Sequence, residues 1–124
     1  MTHEISWDSH GIYRRFLGTI TSADLKQINE EFYADPRALR IHYQIIDARE
    51  IEALEIDETG IRDRVAYDLG FSRSTRAQRV ALISDNPEVL TAFNAYADLM
   101  RSAHSSWTCR TFSTLEDALD WAKS

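Results

Sequence analysis

Two aspartates stand first among the residues whose positions could support chemistry. Asp47 closes the apolar run Ile41-His42-Tyr43-Gln44-Ile45-Ile46, and Asp85 follows a second run, Val80-Ala81-Leu82-Ile83-Ser84. Open α/β sheets place ligands outside the carboxyl ends of their strands, so two acids at two such ends describe a pocket for a cation. The plainer reading is that each carboxylate accepts backbone amides or caps the helix that follows. A phosphoacceptor aspartate would want a lysine at a neighbouring strand end, and the two lysines, Lys26 and Lys123, fall elsewhere.

A second cluster is Arg73-Ser74-Thr75-Arg76, where guanidinium forks beside hydroxyls suit phosphate geometry and mark an anion site or a phosphorylated partner. The competing reading is electrostatic. Segment 47–68 holds eight acids against three arginines, a balance of −5 in a chain of net charge −6, so the arginines that follow would neutralise their neighbour. Within that segment Arg49, Glu52 and Glu55 accompany Asp47 as candidate partner contacts. The acidic loop expected over 50–58 then becomes a docking surface for a basic protein.

Other chemistries find little support. His3, His10, His42 and His104 are scattered and belong to no metal-ligand pattern, so no metal and no cofactor is expected. His42 reads as a satisfied sheet histidine and Cys109 as packing within a strand. No elbow motif for a serine nucleophile is present, so no catalytic residue is assigned and the chain is read as a non-enzyme. A net charge of −6 disfavours nucleic acid and anionic lipid. One cysteine permits no internal disulfide, which points to a reducing, cytoplasmic setting. The first residues lack the form of a signal peptide, and no stretch approaches the ~20 apolar residues of a membrane span.

The elements that must position these residues follow from periodicity. At 124 residues the chain suits one domain, taken as 3–122. Segments 5–7 and 12–17 read as an antiparallel N-terminal hairpin turning at Asp8-Ser9-His10-Gly11, after which Gly18 loosens the chain. Thr21 caps a helix carrying Leu25, Ile28 and Phe32 that stops at Asp35-Pro36. Segment 41–47 is a central strand, and Ile61, Val65 and Leu69 mark a second helix ended by Gly70. A buried strand at 79–83 leads through Asn86-Pro87 into a third helix with Val89, Phe93, Tyr96 and Met100 on one stripe. Segment 107–112 is the last strand, and Ser113-Thr114-Leu115-Glu116 has the form of a capping box for a final helix. Crossovers of this length make the later strands parallel. The expected class is α/β, a mixed, mainly parallel sheet of about five strands with four helices.

This pattern resembles the SpoIIAA-like family, relatives of the STAS domains. The resemblance spans roughly residues 3 to 122 and is carried by Gly18-Thr19-Ile20-Thr21, by Arg79-Val80-Ala81-Leu82-Ile83-Ser84-Asp85, and by Phe112 to Trp121 with its Glu116, Ala118 and Trp121. It implies a strand-helix superhelix and a domain that binds partners, nucleotides or, in the wider lineage, apolar ligands. Anti-sigma-factor antagonists of this kind switch by phosphorylation of a serine after the central strand. Here that place reads Ala48-Arg49-Glu50-Ile51-Glu52-Ala53, with no hydroxyl and with acids that would repel a phosphate.

Two functions are therefore expected. One is a non-enzymatic interaction or regulatory domain with a protein partner. The other is a carrier or sensor of a small apolar, lipid-like ligand held between the sheet and the aromatic helices, which requires a concave apolar cavity. Trp121 and Met100, if outside the core, would serve a homodimer interface.

Overall fold

The computed structural model describes residues 3–124 and contains five strands in sequential order in one sheet: β1 His3–Trp7, β2 Gly11–Thr21, β3 Tyr43–Glu55, β4 Gln78–Ile83 and β5 Trp107–Phe112. β1 pairs antiparallel with β2, and every later pairing is parallel. Four helices alternate with them: α1 Ser22–Ala34, α2 Glu58–Ser72, α3 Pro87–Ser102 and α4 Leu115–Ala122. A short 3-10 helix at Pro36–Leu39 follows α1.

Each helix start has a local cause. Thr21 and Asp24 form a reciprocal capping box on α1, the Asp57 carboxylate accepts the Gly60 amide on α2, and Asn86 with Pro87 opens α3. On α4 the cap is Thr114, accepting from the Asp117 amide, one residue beyond the Ser113-to-Glu116 box expected from sequence. Gly70 does not stop α2. The helix runs on to Ser72, and a Cβ on Gly70 would meet nothing within 4 Å.

The two faces of the sheet are covered unequally. Ile12, Phe16, Ile20, Ile46, Val80 and Leu82 pack against α1, α2 and α3 in the larger core. Tyr43, Ile45, Ala81 and Ile83 pack against Ala118 and Ala122 of α4 alone. Gly11 is required on that second face, because a Cβ there would lie 2.3 Å from the Tyr43 ring.

The main departure from expectation is β3. It continues through the supposed acidic loop to Glu55, but its pairing with β4 ends at Asp47, so its second half is joined to β2 only. Two register shifts each place an extra residue in β3, the second of them Glu52 between Ile51 and Ala53, opposite Gly18 (φ 71°) and Thr19. β2 likewise runs beyond 17 to Thr21, because Gly18 accommodates a bulge where a break was expected.

Candidate functional site

The largest concentration of buried polarity lies inside the main core. Arg14 is 4 % exposed and sits on β2 in line with Ile12 and Phe16. Its guanidinium donates to Asn29 Oδ1 and Gln44 Oε1, each at 3.0 Å, and rests 4.6 Å above the Phe32 ring. The amide donors of these partners are already engaged, Asn29 with the Leu25 carbonyl and Gln44 with Gln78, which in turn donates to the Ala38 carbonyl. No carboxylate pairs with Arg14 among the described residues. Burial lowers its pKa to about 10, against the opposing pull of Asp68, Tyr33 and Tyr96.

Asp68 of α2 ties three helices together. It accepts from Tyr33 of α1 and, at 2.7 Å, from Tyr96 of α3, while Arg64 donates to the Tyr33 hydroxyl at 2.8 Å. Arg64 Nε stands 3.8 Å from the Asp68 carboxylate. Burial, with the carboxylate beside them, raises both tyrosine pKa values far above the ordinary range. The Nε atoms of Arg14 and Arg64 are both buried without a hydrogen-bond acceptor. Arg14, Arg64 and Asp68, with Asn29 and Gln44, line a cavity of about 90 Å³ together with apolar side chains such as Ile46, Leu54, Leu82 and Phe93.

The rim residues expected from sequence divide between two ends of the sheet. Asp47 is opposite Ile83 in register, so Asp47 and Asp85 share the carboxyl end. Asp47 is 2 % exposed and receives Tyr13 Oη at 2.5 Å, the Arg49 amide at 3.1 Å, and Arg49 Nε and Nη2 at 3.0 and 2.8 Å. Burial pushes its pKa up, but the Arg49 and Tyr13 bonds outweigh this and hold it below the ordinary value. Tyr13 is pushed up to about 12 by burial and by Asp47. Asp85 is exposed, and the helix cap expected of it is supplied by Asn86, whose Oδ1 accepts from Glu88 at 2.9 Å. No group of three metal-ligating side chains occurs among the described residues. Glu52 and Glu55 lie in the half of β3 that pairs with β2 alone, exposed and outside any ion pair among the described residues.

Arg73, Ser74 and Arg76 lie at the other, amino end. The 15-residue α2 spans about 22 Å at 1.5 Å per residue and carries them away from the acids, so they do not neutralise the acidic segment. Arg76 Nη1 is 2.8 Å from Nε2 of His42, and the His42 and His10 rings meet edge-on at 5.2 Å. His42 thus precedes the strand and is exposed, where a sheet position was expected. Desolvation, then Arg76 and His10, lower its pKa.

Cys109 packs against the main core, and burial raises its pKa to about 12. Met100 is fully buried, so it is no interface residue. Trp121 is half-buried against Phe112, with the Arg79 and Arg110 guanidiniums over its ring.

Sequence reasoning passed over Arg14, Arg64 and Asp68. One signal was present: period-two alternation from Ile12 through Phe16 puts Arg14 on the buried face.

A five-stranded sheet in sequential order, with three crossover helices over one face and a terminal helix on the other, defines the class: a mixed α/β domain with a buried polar cluster. Its particular form is the SpoIIAA-like fold. The unphosphorylated anti-sigma factor antagonist SpoIIAA superposes with a TM-score of 0.62 at 14% identity over 98% of both chains. An uncharacterised DUF3478-family protein of Shewanella loihica PV-4 with a SpoIIAA-like fold gives 0.60 at 18% identity, over 97% of this chain and 91% of that one. No family model matches the chain, and no curated protein matches it significantly. Among the described residues no helix is long and apolar enough to cross a membrane.

Proposed function

We propose that this chain is a non-enzymatic interaction or regulatory domain that engages a basic protein partner through the carboxyl end of its sheet. The observation that carries this reading is the overhang of β3 past β4, which presents Glu52 and Glu55 without ion-pair partners among the described residues. Exposed, unneutralised acids at a rim stay hydrated and steer a cationic surface in a salt-dependent way. Exposed Arg49, held by the buried Asp47, borders that surface, and a cytoplasmic setting suits the single cysteine. Affinity capture with the purified chain tests it. A salt-sensitive basic partner that Glu52→Lys with Glu55→Lys abolishes is the expected result, and capture indifferent to both charge reversals overturns it.

A second reading, a carrier or sensor of a small apolar ligand, is favoured by the cavity of about 90 Å³ between the sheet and α1, α2 and α3. Native mass spectrometry of the purified protein decides it, a retained adduct supporting the reading and a bare mass opposing it.

A further inference from the structure

We propose that the cavity between the sheet and α1, α2 and α3 is a seat for a small amphiphilic carboxylate, its anionic head between Arg14 and Arg64 and its apolar tail among Ile46, Leu54 and Leu82. The inference rests on the ligand reading just given and adds to it the chemical class of the ligand.

The charge count of the cluster motivates it. Buried Arg14 and the largely buried Arg64 stand with one carboxylate, Asp68, which pairs with Arg64 alone, leaving one positive charge in excess. An uncompensated buried charge costs several kcal/mol, so a fold that retains one holds it against something. The free valences also have one sign. Asn29 and Gln44 spend their acceptors on Arg14 and their donors on the Leu25 carbonyl and on Gln78. Asp68 spends its oxygens on Tyr33 and Tyr96. Among the residues that line the cavity, the buried nitrogens left without a hydrogen-bond partner are both N–H donors, Arg14 Nε and Arg64 Nε, the latter 3.8 Å from the Asp68 carboxylate; the other such atom among the described residues, His3 Nε2, lies outside that lining. The missing partner is therefore an acceptor, and the single excess charge suits a monoanion.

The remainder of the cavity determines the tail. Ile46, Ile51, Leu54, Val80, Leu82 and Phe93 give an inorganic anion no polar contact, whereas a short alkyl chain would release ordered water on contact with them. At roughly 10 to 15 Å³ for each water-sized occupant, 90 Å³ admits a chain of a few carbons. Among the described residues no other acid lines this cavity, so nothing within it would repel the head except Asp68, which Arg64 and two hydroxyls already engage.

Titration of the full chain with hexanoate, 1-hexanol and acetate, observed at the arginine Nε–Hε resonances by nuclear magnetic resonance, tests the proposal. Hexanoate should shift the Arg14 and Arg64 signals and bind about tenfold tighter than hexanol, the factor expected of one charge-assisted hydrogen bond. Arg64→Gln should remove most of that preference, and Arg14→Lys, which keeps the charge but loses the Nε donor, should weaken it as well, so that a preference unchanged in both variants overturns the assignment of the head. Hexanol binding as tightly as hexanoate overturns the anionic head but leaves the ligand reading intact. Acetate binding as tightly as hexanoate overturns the tail. If none of the three moves a cavity resonance, the ligand reading falls together with the inference.

Discussion

The molecule contains two clusters of tyrosine, aspartate and arginine, one on each face of the sheet, and they are built to different ends. Asp47 is served by Arg49, two residues along the same strand, in a two-pronged ion pair with Tyr13 completing the set. One acid meets one base, and the Arg49 side chain is 38% exposed. Asp68 draws Tyr33, Arg64 and Tyr96 from three helices, lies 3.8 Å from its nearest base, and faces a second guanidinium, Arg14, that has no acid of its own. The balanced cluster needs nothing further, whereas the unbalanced one lines a cavity. A buried polar group by itself does not indicate a site; a surplus of one sign next to space does.

The largest expected effect separates the two. Asp68→Ala removes the acceptor of two tyrosine hydroxyls and leaves both guanidiniums uncompensated, so it should cost about 3 to 5 kcal/mol in urea unfolding. A loss below about 1 kcal/mol would mean that the helices are not held through this carboxylate. Asp47→Asn keeps the shape and several of the hydrogen bonds and leaves Arg49 free to turn to water, and about 1 to 3 kcal/mol is expected. Equal losses from the two substitutions would erase the distinction.

Acid titration sharpens it further. The folded Asp47 carboxyl is held below the 3.8 of the unfolded chain, so ionisation favours the folded state above that value, and the contribution disappears as pH falls through the lower folded pKa. The stability gap between the parent chain and Asp47→Asn should therefore be full at roughly pH 6 and shrink toward roughly pH 2, as read from urea midpoints at each pH. A gap that stays constant over this range would show that the Arg49 ion pair contributes nothing to stability.

How far the amino-acid sequence announced this arrangement depended on whether a residue's own neighbours determined its place. β5 was expected at 107–112 and lies there, and α3 begins where Asn86-Pro87 predicts, because apolar runs and caps are local signals. The second half of β3 reads as a loop in the sequence, since its acids suggest solvent and its bulge breaks the alternation that would betray a strand: Ala53 and Leu54 are adjacent and both half-buried. The Asp47 rim was legible because a strand end is a local feature. The Asp68 cluster was not, because its members come from residues 14, 33, 64, 68 and 96 and meet only through the packing of four elements.

The smallest expected effect is on stability at the overhang. Glu52 is the extra residue of a bulge, Glu55 ends the strand, and both are exposed, so Glu52→Lys and Glu55→Lys should each change unfolding free energy by no more than about 0.5 kcal/mol. Any gain should be slight and favourable, because a lysine there lowers the negative charge of a segment that carries most of the net charge. That near-neutrality makes the overhang informative. Residues whose charge does nothing for folding, kept where β3 has no neighbour on one side, are free to serve recognition, and loss of partner binding without loss of stability would assign them to it. A double variant that unfolds at a midpoint well below the parent would instead place the overhang with the Asp68 cluster, as part of what holds the domain together.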